Sequence, residues 1–143
     1  MLTRVLGILI ACGALLAVAC QGGSNKPSPI HWASSYDAAV KDAKASNKLV
    51  MIKFYADWCG PCKEMESTTF SDDKVVAEVE KNFVPVKVDI DTPEGAALQN
   101  KMGGVAIPYV VFAKPSGEKV ASLLGMTDST EFLVTCRTAQ SAK

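Results

Sequence analysis

Residues 58–63 read Trp-Cys-Gly-Pro-Cys-Lys, and the cysteine spacing and the proline of this stretch indicate its local structure. The apolar run before it, residues 49–55, is typical of a buried strand, and a helix is expected from near Cys59 to about residue 67. Pro61 suits the first turn of that helix because its missing N–H needs no partner there. Cysteines three positions apart at a helix start lie about one turn apart on the same side. This spacing permits a reversible disulfide between Cys59 and Cys62.

The start of the helix also predicts different roles for the two cysteines. Unpaired backbone N–H groups and the helix dipole favour the thiolate over the thiol at Cys59. Cys62, one turn further in, is expected to be more buried and to act as the resolving thiol. The pair therefore favours redox chemistry.

Two other interpretations of the pair are weaker. A zinc site needs further ligands, and the chain offers only Cys136, His31 and carboxylates at unsuitable spacing. A purely structural disulfide across so short a loop stabilises little compared with a long one. We therefore expect no metal and no cofactor.

Helical and strand patterns alternate along the rest of the chain. Ser71 is a candidate N-cap for the third of the predicted segments. The predicted helices are 35–46, 72–82, 94–102 and 127–139, and the predicted strands are 83–90, 109–113 and 119–124. This order predicts an α/β fold with helices around a central mixed sheet.

Length and composition limit the alternatives. The chain has 143 residues, which suits one domain, predicted here as residues 31–143. Its 15 basic and 15 acidic residues give a formal net charge of zero, so nothing indicates nucleic acid as a partner. Five cysteines are too sparse for a disulfide scaffold, and one histidine nearly excludes a histidine-based metalloenzyme.

The N-terminus predicts export. Residues 1–19 combine one charge with an apolar run too short to span a membrane, as in a signal peptide. The run ends in Leu-Ala-Val-Ala before Cys20, which resembles the lipobox of bacterial lipoproteins, and that resemblance implies acylation of Cys20 and a lipid anchor in a membrane. Residues 20–30 are rich in Gly, Pro and Ser and are expected to form a flexible tether. The alternative is a plain cleaved signal peptide.

The segment from Phe54 to Lys63 resembles the active-site segment of the thioredoxin superfamily, and residues 86–91 resemble its central strand. The resemblance implies a thioredoxin fold with an N-terminal helical extension. It also implies that Ile107-Pro108 contains a cis-proline, which faces the cysteines and helps to align the extended chain of a substrate. The residues that it assigns to substrate binding are Trp58, Gly60, Pro61, Ile107 and Pro108.

Within the superfamily, residues 57–59, 63–66 and 69–72 most resemble the exported C-terminal domain of the thiol-disulfide interchange protein DsbD. Lipid-anchored thioredoxin-like proteins of cytochrome c maturation are similar in layout. The resemblance implies a protein-disulfide oxidoreductase of the bacterial periplasm or cell envelope, acting on disulfides of exported proteins. Its implied partners are a membrane electron donor of the DsbD type and substrates such as apocytochrome c. The Gly-Pro between the cysteines is typical of reductants in the family.

One position departs from the family. Thioredoxins usually have a buried aspartate on the strand before the cysteines, where it accepts the proton of the resolving thiol, and here Lys53 takes its place. Glu66 corresponds to an acid near the site in DsbD-like domains and is the candidate base, with Asp57 as a second. We expect Lys53 to pair with Glu66 or to extend outward, since a buried unpaired ammonium is costly.

Other functions remain open from the sequence. An oxidase or disulfide isomerase would use the same residues in the other direction. A binding or chaperone module with an inactive cysteine pair, or a metal carrier, is a more distant alternative. Cys136 is expected to be a buried core residue, with a regulatory or dimerising thiol as the alternative.

Overall fold

The computed structural model describes residues 28–143. The predicted signal peptide, Cys20 and most of the predicted tether lie outside these residues. The helices are α1 Tyr36–Ser46, α2 Gly60–Ser67, α3 Asp73–Asn82, α4 Pro93–Lys101 and α5 Ser129–Ser141. The strands are β1 Leu49–Tyr55, β2 Phe83–Asp89, β3 Tyr109–Ala113 and β4 Lys119–Leu124, and a 3-10 turn at Thr69–Ser71 joins α2 to α3.

The four strands form one mixed sheet in the order β2-β1-β3-β4. β1 pairs in parallel with β2, where Lys53 lies opposite Lys87, and antiparallel with β3, where Lys53 lies opposite Val110. β3 and β4 form the antiparallel hairpin that the sequence predicts. Lys53 therefore lies on an inner strand with a neighbour on each side.

The apolar sequence of β1 is explained by two cores, one on each face of the sheet. Leu49 and Met51 pack into a cluster that includes residues of α3 and α5. Val50, Ile52 and Phe54 pack into a second cluster that includes residues of α1 and β3. α1, which precedes the first strand, is the N-terminal helical extension of the predicted fold. A strand buried on both faces shows a continuous apolar run rather than an alternating one.

The observed helix starts differ from the predicted ones by one or two residues. The cap of α3 is Asp72 and not Ser71, because the Asp72 carboxylate accepts two backbone N–H groups of the first turn while the Ser71 hydroxyl donates to Glu66 O. α5 begins two residues later than predicted, since Asp128 caps it. α4 begins at Pro93, directly after its cap Thr92.

The packed domain begins earlier than the predicted boundary at residue 31. The Ser28 hydroxyl donates to Phe70 O at 2.8 Å, and Ile30 is 4% exposed in the core. Ala33 N donates to Pro85 O and forms a parallel bridge with Val86 at the edge of β2. Residues 28–30 are therefore part of the fold and not of a flexible tether.

In residues 28–143, every helix is too short or too polar to cross a membrane.

Candidate active site

The two cysteines of the motif are joined by a disulfide at the start of α2. Cys59 is the N-cap, its Sγ accepts the N–H of Cys62 at 3.2 Å, and the two Cα atoms are 5.3 Å apart. Pro61 lies in the first turn of the helix, as expected. The two residues are 3% and 2% exposed, so Cys62 is scarcely more buried than Cys59. The helix start holds both sulfurs at one end of the sheet.

The disulfide is surrounded by the loop before α2, the first turn of α2 and the loop before β3. Trp58 is 67% exposed, and its indole N–H donates to both carboxylate oxygens of Asp91, at 2.9 and 3.2 Å. Gly60 and Pro61 are also exposed. Asp91 was not among the predicted site residues, although its place directly beyond β2 was a signal. The bond to Asp91 fixes the orientation of an aromatic side chain beside the cysteines.

The second loop contains the proline of the resemblance. The Ile107–Pro108 peptide bond is cis, which confirms that expectation. Ile107 packs against the small cluster formed by Ala56, Cys59 and Cys62. Pro108 is buried directly before β3, and its carbonyl oxygen accepts the N–H of Gly125. The loop is thus fixed against the disulfide on one side and the hairpin on the other.

Beneath Cys62 lies an ion network centred on one carboxylate. Lys53 is 1% exposed and forms an ion pair with Glu66, and Lys87 Nζ lies 2.8 Å from Glu66 Oε1. The Lys53 ammonium also donates to Cys62 O at 3.4 Å. The expected pairing with Glu66 is therefore present, and the alternative of an outward Lys53 is wrong. Burial lowers the pKa of Lys53, and Glu66 opposes that shift.

Two aromatic rings complete the surroundings of the lysines. The Lys53 ammonium lies 4.9 Å from the centre of the Phe70 ring, and that of Lys87 lies 4.8 Å from the Trp32 ring. The two rings meet edge to face at 5.7 Å. Cation–π contacts of this kind stabilise partly desolvated ammonium groups. Neither Trp32 nor Phe70 was among the predicted site residues.

A cleft of about 170 Å³ reaches this network from the solvent. Burial, aided by nearby carboxylates, raises the pKa of Tyr55 on its wall. The cleft brings both predicted bases close to the resolving cysteine, with Asp57 exposed at the surface and Glu66 half-buried. Its lining residues are Lys53, Tyr55, Ala56, Asp57, Cys62, Lys63, Glu66 and Lys87.

Other candidate groups lie apart from the cleft. Cys136 is fully buried in the core, and burial raises the pKa of its thiol to about 12. His31 is exposed, and its Nδ1 lies 3.4 Å from Glu80. Within residues 28–143, His, Cys, Asp and Glu side chains form no group of three that would hold a metal ion.

Known proteins similar to this chain include thioredoxin-like proteins and proteins named for thiol:disulfide interchange. The thioredoxin-like family matches residues 31–115. The thiol:disulfide interchange protein DsbD of Yersinia pestis (strain Pestoides F) is 37% identical over 95 residues, which are 64% of this chain and 16% of the relative. The chain therefore spans about a sixth of the length of that relative.

Solved structures agree on the fold. A thioredoxin from Thermus thermophilus has a TM-score of 0.70 and 31% identity, over 78% of this chain and 87% of that chain. The C-terminal domain of Neisseria meningitidis DsbD in the oxidised form has a TM-score of 0.59 and 30% identity, over 74% of this chain and 90% of that chain.

These similarities confirm the expected thioredoxin fold, a mixed four-stranded sheet flanked by helices. The Cys59–Cys62 disulfide is accompanied by similarity to relatives that are named for thiol:disulfide interchange. The family match extends over more than half of the chain, from the segment before α1 to the β3–β4 turn. The chain belongs to the thioredoxin-like family.

Proposed function

We propose that the protein is exported, tethered to a membrane by a lipid anchor, and reduces disulfides in extracytoplasmic proteins. The observation that carries the reaction is the Cys59–Cys62 disulfide at the start of α2, with the Ile107–Pro108 loop packed against it. The identity to DsbD supports the substrate class, since that relative is named for thiol-disulfide interchange.

The reaction proceeds by two exchanges. The Cys59 thiolate attacks one sulfur of the substrate disulfide, which forms a mixed disulfide and releases the other substrate sulfur as a thiolate. The Cys62 thiolate then attacks Cys59 Sγ, which forms the Cys59–Cys62 bond and releases reduced substrate. Cys59 is the nucleophile because it caps the helix, where N–H groups stabilise its negative charge.

Substrate binding is assigned to the rim of the disulfide. The Ile107–Pro108 loop packs against the cysteines, while Trp58, Gly60 and Pro61 supply an exposed surface beside them. A shallow, largely apolar rim suits extended segments of many proteins rather than one small molecule.

A reductant outside the cytoplasm needs a source of electrons. We assign this role to a membrane protein of the DsbD type, which would reduce the Cys59–Cys62 disulfide after each turnover. Disulfides of apocytochrome c or of oxidatively damaged exported proteins are the proposed substrates. These assignments rest on the resemblance to DsbD and on the sequence of residues 1–30.

The direction of the reaction is tested by the reduction potential of Cys59–Cys62, measured by equilibration with thiol buffers and alkylation. A reductant requires a value near or below about −250 mV, whereas a value above about −150 mV would show an oxidant. The absence of a reversible couple would contradict catalysis altogether and favour a binding module.

The anchor is tested by lipid labelling in the producing cell. A chain with Cys20 should incorporate a labelled fatty acid and sediment with membranes, and Cys20→Ala should do neither. An exported but unlabelled wild-type chain would show a plain cleaved signal peptide instead.

Glu66 is proposed to assist Cys62, since its carboxylate lies on the cleft beside that residue. Glu66→Gln should slow turnover of a disulfide substrate without preventing formation of the Cys59–Cys62 bond. Glu64→Gln is the matched control, because Glu64 is an exposed carboxylate on the same helix. Unchanged turnover in Glu66→Gln would contradict this role.

A further inference from the structure

The charged side chain of Lys53 contacts the backbone of the resolving cysteine. Its ammonium donates to the carbonyl oxygen of Cys62 at 3.4 Å and is paired with Glu66. Because Lys53 is 1% exposed and lies on an inner strand, its charge is shielded from water. A charge in such a place acts more strongly on its neighbours than a charge at the surface.

The remaining groups that face the cleft come from three elements. β1 contributes Tyr55 besides Lys53, the loop after it contributes Asp57, α2 contributes Lys63 and Glu66, and β2 contributes Lys87. Asp57 and Lys63 are exposed, so solvent screens them, and Lys87 is bonded to Glu66. Among residues 28–143, Lys53 carries the one positive charge that is both buried and hydrogen-bonded to the carbonyl oxygen of Cys62.

We propose that Lys53 is a positioning residue of the disulfide exchange: its ammonium, held in place by Glu66, stabilises the thiolate of Cys62 when that cysteine resolves the mixed disulfide. This rests on the proposed function of the Cys59–Cys62 pair. The proton of Cys62 leaves to water in the cleft, the thiolate attacks Cys59 Sγ, the Cys59–substrate bond breaks, and both electrons leave with the substrate thiolate. Lys53 gains and loses nothing in this step.

The role of Glu66 then follows from that of Lys53. Burial favours the neutral amine of Lys53, and the Glu66 carboxylate favours the protonated form. Glu66 therefore acts on Cys62 through Lys53. A carboxylate that took the proton of Cys62 by itself would act whether or not Lys53 were present, and this difference separates the two mechanisms.

The resolving step is measured by mixing the reduced full-length protein with 5,5′-dithiobis(2-nitrobenzoate) in a stopped-flow instrument. Attack by Cys59 releases one coloured thiolate, and attack by Cys62 on the mixed disulfide releases a second. The second phase is identified as the one that Cys62→Ser lacks. Its rate is recorded against pH for the wild type, for Lys53→Met and for the matched control Lys63→Met.

The expected result is a pH midpoint for Lys53→Met that is about one to three units above the wild type, the range for loss of a nearby opposite charge. At a fixed pH below both midpoints, each unit by which the variant's midpoint is raised reduces the thiolate fraction tenfold but increases the nucleophilicity of the thiolate about threefold. The rate of the second phase should therefore fall about threefold for each unit of the shift. Lys63→Met should keep the wild-type midpoint. An unchanged midpoint in folded Lys53→Met overturns the proposal.

The effect of Glu66→Gln on the rate of the second phase is then measured in the wild type and in Lys53→Met. This substitution should slow the second phase of the wild type and have no further slowing effect on Lys53→Met, and equal slowing in both would overturn the proposal. If Lys53→Met does not fold by circular dichroism, Lys53→Met/Glu66→Gln removes the pair together, a change that buried ion pairs often tolerate. A wild-type midpoint in the double variant also overturns the proposal.

The assay with the chromogenic disulfide does not depend on the identity of the proposed protein substrates. Failure of the wild type to reduce protein disulfides would refute the proposed function, while the midpoint shift would still test Lys53.

Discussion

Reducing the Cys59–Cys62 disulfide is expected to lower the free energy of unfolding by about 1–2 kcal/mol. The bond joins cysteines with a sequence separation of 3 and thus closes a very short loop. In the chain-entropy relation, a loop this short restricts the unfolded chain by about 2 kcal/mol, well below the value for a long loop.

Contacts of the reduced form oppose this effect. The Cys59 sulfur remains at the N-cap of α2, where a thiolate gains roughly 0.3–1 kcal/mol from the helix terminus. The free energy by which the disulfide stabilises the fold is linked to the reduction potential. It equals the difference in the free energy of reduction between the folded pair and the unfolded dithiol. A net value of about 1–2 kcal/mol corresponds to a folded pair about 20–40 mV more reducing than the unfolded dithiol, and a negative net value corresponds to a more oxidising one.

The assay is urea unfolding of the oxidised and the reduced protein, followed by far-UV circular dichroism. Tryptophan fluorescence is unsuitable because Trp58 lies beside the disulfide and responds to reduction itself. Cys59→Ala/Cys62→Ala is the control, and reductant should not change its unfolding midpoint. If the reduced wild type is as stable as the oxidised form or more stable, the assignment as a reductant is refuted.

Three further predictions concern the fold. Phe112→Ala should lower the free energy of unfolding by about 3–5 kcal/mol, since Phe112 is fully buried against Phe83 and Phe132, and urea titration would measure this. Asp72→Ala should cost about 1 kcal/mol. Burial raises the pKa of Asp72, but backbone N–H groups of α3 outweigh it and lower the pKa, so wild-type stability should fall more than that of the variant as pH drops below about 4. Cys136, with a pKa raised to about 12, should resist iodoacetamide until urea unfolds the chain, and labelling of the native protein would contradict its burial.

The sequence predicted those parts of the fold that depend on local pattern. The strand 49–55 was predicted with its observed bounds because both of its faces are buried, which leaves a continuous apolar run. The disulfide site was predicted because a cysteine pair at a helix start needs only local spacing. Residues 28–30 were assigned to the tether because their local composition is that of a linker, while Ile30 is buried by contacts with distant parts of the chain.

The network under Cys62 was only partly predictable for the same reason. The sequence indicated that a buried Lys53 needed a partner. The family resemblance identified Glu66, because it corresponds to an acid near the site in DsbD-like domains. The sequence did not place Trp32 or Phe70 at the site, and these rings approach from the N-terminal segment and the 3-10 turn. Contacts between separate elements depend on packing, which local patterns do not encode.

The observed contacts explain how a lysine can occupy an inner strand at this position. An isolated buried ammonium loses its hydration, and Lys53 recovers part of that loss from Glu66, from Cys62 O and from the Phe70 ring. Glu66 is in turn shared with Lys87, so the network holds one net positive charge beside the disulfide. An aspartate at position 53 would instead face Glu66 with a like charge. Positions 53 and 66 are therefore coupled, and the lysine changes the sign of the charge beneath Cys62 without leaving it unpaired.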